Sequence, residues 1–280
     1  MVAPNGSPDR TRSAFRLERV GVHRTGVPFA VTPEVASAYA AAVGATVGSI
    51  VPPLLSVVPA YRILFGAVDS VTPPSARRLV VHGDHEVVVH RPVRVGDELR
   101  AAGRVEAVRA ASPGAAVVVG IDVSDAGDEV VATHRATALV RGVWPAEEAG
   151  PALAAPTPEP TAWSGTATVA VTADQPARYA EATGDHNAVH VDAAAARRAG
   201  FDDVIAHGLG VFGLVLTALV ARLADGDPGV VRRARVRFGP PVRPGQALLV
   251  RWCDGSARVA FRAEDARGAM VLRSGELDLA

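Results

Sequence analysis

The sequence contains no lysine: all 29 of its basic residues are arginine. Schiff-base enzymes, pyridoxal phosphate enzymes and phosphate loops built around a Walker-type lysine all need an amine this chain lacks, and those classes are excluded. Cysteine is almost as scarce. Cys253 stands alone, so no intrachain disulfide and no Cys-x-x-Cys metal or redox motif can form, which fits a reducing cytosol and a cytoplasmic protein. Net charge is also missing, because 29 acidic residues balance the arginines. There is no basic footprint for nucleic acid or an anionic membrane, and the expected partner is a small molecule. Long apolar runs are absent as well. The longest, from Gly208 to Ala221, is too short to span a bilayer and reads as a buried helix, and the opening MVAPNGSPDRTRSAFRLERVG has no apolar signal core.

What the chain does contain is a copy of itself. VTPEVASAYAAAVGA at 31–45 aligns without gaps on VTADQPARYAEATGD at 171–185, superposing Val31 on Val171, Tyr39 on Tyr179 and Gly44 on Gly184. RPVRVGDEL at 91–99 aligns on PPVRPGQAL at 240–248, superposing Gly96 on Gly245. Two matches in the same order imply a duplicated fold. The offset grows from 140 to 149, so the second half carries nine additional residues between the matches. Between the halves lies WPAEEAGPALAAPTPEPTA, with five prolines and no apolar periodicity, the composition of a semi-stiff linker. The expected division is a first repeat over 1–146, a linker over 147–160 and a second repeat over 161–280.

Each half reads as a helix followed by strands. HEVVVHRPV, GAAVVVGIDV and EVVATHRATALV are β-branched runs at hairpin spacing in the first half, and RARVRFGPPV, QALLVRWC, ARVAFRAE and MVLRSGELDLA answer them in the second, separated by CDGS and EDARG. GLGVFGLVLTALVARL carries apolar residues on every face and needs burial on all sides, which an antiparallel sheet wrapped around it supplies. In RARVRF, Arg233, Arg235 and Arg237 alternate with Ala234, Val236 and Phe238. That strip is either a solvated strand face or a phosphate-steering surface.

The densest chemistry sits in TGDHNAVHVDAAAARRAGFDDVIAHGLGVFG. GLGVFG has the letters of a dinucleotide fingerprint but lacks a preceding strand of useful length. His186 and His190 have the spacing of a metal pair, yet their surroundings resemble a loop rather than a helix. Asp185, Asn187 and His190 could be loop-capping residues only. Against that reading, His207 and Gly208 stand where an apolar helix begins, and a helix start offers unpaired N–H groups to developing negative charge. A proton-transfer pair and an oxyanion site then lie close in sequence.

These residues carry a resemblance. TGDHNAVHVD followed by AGFDDVIAHGLGVFG is similar to the hydratase motif of the MaoC-like, (R)-specific enoyl-CoA hydratase family, and VVHGDHEVVVHRPVRVGDEL resembles the first half of its two-domain members. The resemblance implies an α+β double hot-dog, two tandem repeats each with an antiparallel sheet around a central helix, the second catalytic and the first degenerate. Asp185 and His190 would hold a water between them, the Gly208 N–H would serve the oxyanion, Asn187 would orient the loop, and His207 would be structural. No metal or cofactor is implied. Ala188 replaces the proline usual in the motif, and Ala45 stands at the place of Asp185 in the first half.

The expected substrate is an acyl-CoA or acyl-carrier-protein thioester. The expected unit is a monomeric double hot-dog or a homodimer. Hydratase, thioesterase and non-catalytic thioester binder are the three readings the residues leave open; the intact Asp185 and His190 pair argues against the third, and the match to the hydratase motif against the second. Pro52, Pro53 and Pro59 preclude one long central helix over 45–68. The gap left by a shorter one would let Leu54, Leu55 and Val58 line a channel for an acyl tail, with plain core packing as the alternative role for each.

Overall fold

The residues that align between the halves also make the same contacts. In the computed structural model, which describes residues 12–155, 157–255 and 258–280, each half has an early helix: α1 (Pro33–Ala42) in the first and, later, its counterpart over Gln175–Thr183. Thr32 caps α1 by accepting the Val35 N–H, and Pro33 opens its first turn. Both helices end on a glycine in the left-handed region, Gly44 at φ +68° and Gly184 at φ +73°, where a β-carbon would be strained. The second aligned pair is equally regular. Gly96 N–H donates to Val31 O at 2.8 Å and Gly245 N–H to Val171 O at 2.6 Å.

After α1 the first half makes a 3-10 turn over Pro53–Val57 and then α2 (Tyr61–Val71), a short central helix set after Pro59. Four long strands follow: β1 (Val80–Val89), β2 (Glu98–Ala111), β3 (Gly114–Ser124) and β4 (Val130–Arg141). The second half contributes β5 (Gly165–Val171), α3 (Gln175–Thr183), α4 (Ala188–Val191), α5 (Ala193–Arg198) and the central helix α6 (Gly208–Leu223). It closes with β6 (Val231–Phe238), β7 (Gln246–Gly255), β8 (Arg258–Glu264) and β9 (Met270–Leu279). The double hot-dog expected from the resemblance is the observed architecture.

All these strands belong to one sheet, in the order β2-β3-β4-β1-β6-β9-β8-β7-β5, with short edge segments beyond β2. The two halves meet where β1 pairs antiparallel with β6, placing Arg235 opposite Glu86 and Arg237 opposite Asp84. On the inner side of this seam Ala234 and Val236 are fully buried, as are Leu219 and Phe212 of α6 and Phe261 of β8. Burial of each large apolar side chain of this kind contributes about 1.5–3 kcal/mol.

Three expectations need correction or refinement. β2 was absent from the strands read in the sequence, because ELRAAGRVEAVRAA is rich in alanine and charge; its inward row of Leu99, Ala101 and Val105 is nevertheless buried. The turn expected at CDGS begins later, since β7 continues through Cys253, Asp254 and Gly255; Ser256 lies outside the described residues. The linker is docked along part of its length: Ala149 and Val108 exchange two backbone hydrogen bonds at 3.0 Å, and Glu159 pairs with Arg262 at 3.0 Å. The first eleven residues, part of the stretch read for a signal core, lie outside the described residues. Among the described residues no helix is long and apolar enough to cross a membrane.

The glycines of GLGVFG serve helix packing. A β-carbon on Gly210 would stand 2.8 Å from Gln175 Nε2 and 3.1 Å from the Tyr179 ring, and one on Gly213 would stand 2.6 Å from Val43 Cγ1. Gly213→Ala is expected to lower stability by about 1–2 kcal/mol, the overpacking exceeding the gain of roughly 1 kcal/mol in helix propensity. A urea midpoint equal to or above that of the wild type would show that Val43 yields freely.

Candidate active site

The loop that carries the candidate residues is organised by small local bonds. Thr183, at the end of α3, returns its hydroxyl to Tyr179 O at 2.7 Å and accepts the Asp185 N–H at 3.3 Å. Asp185 Oδ1 in turn accepts the Asn187 N–H at 3.3 Å, and Asn187 is the N-cap of α4, its side chain accepting the Val189 N–H at 3.5 Å. His190 follows one turn later. Its Nδ1 lies 2.8 Å from Ile205 O and must carry the proton, which leaves Nε2 bare. Burial holds the His190 pKa below the ordinary imidazole value, against the pull of the Ile205 carbonyl and the Asp185 carboxylate. At neutral pH His190 is therefore an uncharged proton acceptor.

His207 secures the other end of the loop. Its Nε2–H donates to Asp185 O at 2.9 Å, and its ring lies against His190 with centroids 3.8 Å apart and against Tyr179 at 4.9 Å. Burial, followed by repulsion from His190, lowers its pKa to about 3. The ligand atoms of Asp185, His190 and His207 lie within 4.8 Å of one another. One water hydrogen-bonded to both members of a pair spans such a gap. A divalent cation could share the same three residues, although one nitrogen of each imidazole is already turned onto a carbonyl oxygen. His186 is no part of this cluster: it is exposed and faces Glu181 at 4.0 Å.

His207 is also the N-cap of α6, but its side chain makes no capping bond, so the first N–H groups of the helix are uncapped beside the loop. Gly208 supplies the first of them. A β-carbon there would sit 3.2 Å from the Phe238 ring, which explains the need for glycine at the closest approach.

The chain is 30% identical over 215 residues to 3-hydroxyacyl-thioester dehydratase X of Mycobacterium tuberculosis, an alignment covering 76% of this chain and 73% of that protein. The chain belongs to the MaoC-like dehydratase family. The MaoC like domain matches residues 158–269 of this family member, and the FAS1-like dehydratase domain region matches residues 36–134. Identity is also 30% over 190 residues to peroxisomal multifunctional enzyme type 2 of Drosophila melanogaster, covering 65% of this chain but 31% of that enzyme, so the chain spans about a third of that relative. Among solved structures, the MaoC-like dehydratase from Phytophthora capsici superposes with a TM-score of 0.78 at 23% identity, covering 94% of this chain and 97% of that one, which establishes the shared fold.

Within this MaoC-like protein the other sequence-derived residues divide. Arg233 is held by Glu86, by Glu276 at 2.6 Å and by Asp278 at 3.7 Å, so its charge is committed to the seam. Arg235 and Arg237 face Glu86 and Asp84 there. Leu55 is wholly buried in the core and Val58 is partly buried, while Leu54 lines a hollow of about 110 Å³ with Pro53, Leu216 and Val220. A second hollow, of about 460 Å³, lies among Arg104, Glu106 and Arg135 on the first-half sheet, and its charged lining is unsuited to an acyl chain.

Sequence reasoning missed Tyr61. This residue of α2 crosses from the first half to place its hydroxyl 2.7 Å from that of Tyr179, behind the candidate loop. All three tyrosines of the chain gather here, with Tyr39 and Tyr179 at 6.0 Å between centroids. The only signal was that two of them superpose in the repeat.

Ala188, where the motif usually has proline, is the first residue of α4. Proline is favoured at that position, and Asn187 before it already has the extended ψ of 124° that precedes proline comfortably. Ala188→Pro should raise stability by about 0.4–1 kcal/mol with activity retained. A lower melting temperature would contradict this account of the loop.

Proposed function

We propose that the chain catalyses reversible addition of water to trans-2-enoyl thioesters, giving (R)-3-hydroxyacyl thioesters, in fatty-acid or polyketide-type metabolism. The observation that carries this reading is an uncharged His190 with a bare Nε2 beside the Asp185 carboxyl group, in front of an uncapped helix start. A water between Asp185 and His190 loses one proton to the pair as its oxygen bonds to Cβ, and the pair returns a proton to Cα. The thioester oxygen gains enolate character in the same step, and the Gly208 N–H is the donor that meets it.

The acyl chain runs from this point toward the first half, where Leu54 borders the junction hollow. Arg235 and Arg237 are the members of the arginine strip that would steer a CoA or carrier-protein phosphate. Because the halves already complete each other's sheet, the working unit is one double hot-dog or a dimer of it. The lone Cys253 suits a reducing compartment such as the cytosol.

Crotonyl-CoA tests the reading when enoyl absorbance and free thiol are followed together. Loss of absorbance without thiol release is expected, and the product should be oxidised by an (R)-specific but not an (S)-specific 3-hydroxyacyl-CoA dehydrogenase. Thiol release would indicate a thioesterase instead, and an (S) product would rule out this geometry.

A further inference from the structure

The first half has no catalytic pair, yet it buries a second chain of polar groups that the proposed reaction does not use. Ser56, in the 3-10 turn before α2, is 1% exposed and donates its hydroxyl proton to Pro53 O at 2.7 Å. Its oxygen therefore accepts from His134 Nε2, 3.0 Å away on β4. His134 must then be bare at Nδ1, where it accepts from His85 Nε2 on β1 at 3.0 Å. The consequence falls on His85. With its Nε2 protonated, its Nδ1 is a bare acceptor, and that nitrogen is buried in a side chain 1% exposed without a hydrogen-bond partner. His82 Nε2, on the same strand, is likewise buried and unpartnered.

These rings form a chain of contacts that begins at Phe238, beside the start of α6. Phe238 touches the position of the missing Gly208 β-carbon at 3.2 Å, His82 packs on Phe238 at 4.7 Å between centroids, His85 on His82 at 5.3 Å, and His134 on His85 at 5.2 Å. On the proposed reading, an acyl tail directed from a thioester at the α6 start into the first half follows this chain of contacts. A wall meant only for methylene groups would be apolar, because a buried acceptor left without a donor is unfavourable.

We infer that His85, aligned by His134 and Ser56, is a specificity-determining acceptor for a hydrogen-bond donor on the distal acyl chain, so that the preferred substrates are tail-hydroxylated acyl thioesters rather than plain alkyl ones. The inference rests on the hydratase reading for the thioester but concerns a different part of the ligand. Fixing the tautomers by the Ser56 to Pro53 bond makes the subsite selective for a donor: a hydroxyl satisfies Nδ1, whereas a keto group or a methylene does not. Sites that must hydrogen-bond a ligand hydroxyl discriminate strongly against the analogue lacking it.

The test is calorimetric binding of dodecanoyl-CoA against a positional series of hydroxydodecanoyl-CoAs, with crotonyl-CoA turnover measured in parallel. At least one isomer should bind about tenfold more tightly than dodecanoyl-CoA, the scale of one added buried hydrogen bond. His85→Phe should abolish that preference while crotonyl-CoA turnover stays within about twofold of the wild type. If His85→Phe does not fold, Ser56→Ala, which leaves His134 Nε2 without its acceptor, should weaken the same preference. Equal binding of every isomer and the alkyl chain overturns the inference, with a buried water left as the occupant of His85 Nδ1. Survival of the preference in both variants overturns it too. Crotonyl-CoA turnover without any isomer preference sinks the subsite alone; isomer preference without crotonyl-CoA turnover sinks the hydratase reading and leaves the subsite standing.

Discussion

Asp185→Asn and His190→Ala should each reduce hydration of a short enoyl-CoA by about 10²- to 10⁴-fold, the range a positioned acid–base group contributes. Stability should change little in Asp185→Asn, whereas His190→Ala also loses the Nδ1–H bond to Ile205 O and should cost about 1–3 kcal/mol. Asp185 accepts a local N–H through one carboxylate oxygen that an amide retains, and the tie to His207 is made by its backbone carbonyl, which neither substitution removes. The double variant should be barely slower than either single one, because one water is activated by the pair together. Near-normal kcat in either single variant would remove the pair from the mechanism.

The second large effect is acid lability. His82, His134 and His207 titrate in the folded protein at about 4, about 3 and about 3, and His85 well below 6.5; burial is the leading cause in each case. The unfolded chain protonates the same residues near their ordinary value of about 6.5. Below that pH the unfolded state binds more protons than the folded one. Stability is therefore fully present above about pH 6.5 and falls as the pH drops, by up to about 1.4 kcal/mol per pH unit for each histidine, until the folded values are reached. By pH 5 the four together cost on the order of 5–8 kcal/mol, a large share of a domain's total stability. Glu276, where burial raises the pKa but the hydrogen bonds from Arg233 and Thr157 outweigh it and hold the carboxyl below its ordinary value, acts in the same direction in more acidic solution. Chemical denaturation from pH 7.5 to 4.5 measures this directly, and a flat profile between pH 6.5 and 5 would show that these histidines are solvated in the folded state.

The candidate site was legible in sequence wherever its residues are local. Asp185, Asn187, His190 and Gly208 stand within one loop and the helix start after it, and the repeat located the framework around them through Gly44, Gly184, Gly96 and Gly245. Tyr61 was hidden because it reaches the site across the halves, and no spacing along the chain predicts that contact. The Ser56, His134 and His85 chain was hidden for a related reason: its members come from a turn and two strands and meet only when the sheet closes. β2 escaped because alanine and arginine disguise strand alternation as helix propensity, which tertiary packing then overrides. The seam between β1 and β6 joins segments far apart in sequence, and only their charges hinted at it.

Those charges have a consequence for symmetry. In a homodimer of single repeats, the two strands flanking the twofold axis are copies, and whatever one presents to the other must suit itself. RRARVRF could not meet that condition, since arginine would face arginine across the axis. Opposite it here is DHEVVV, with Glu86 and Asp84 in register with Arg235 and Arg237. Fusion of two repeats in one chain has released the seam from self-complementarity. It also makes the pairing intramolecular, so that its strength no longer depends on protein concentration and the second half is guaranteed an unlike mate at any dilution.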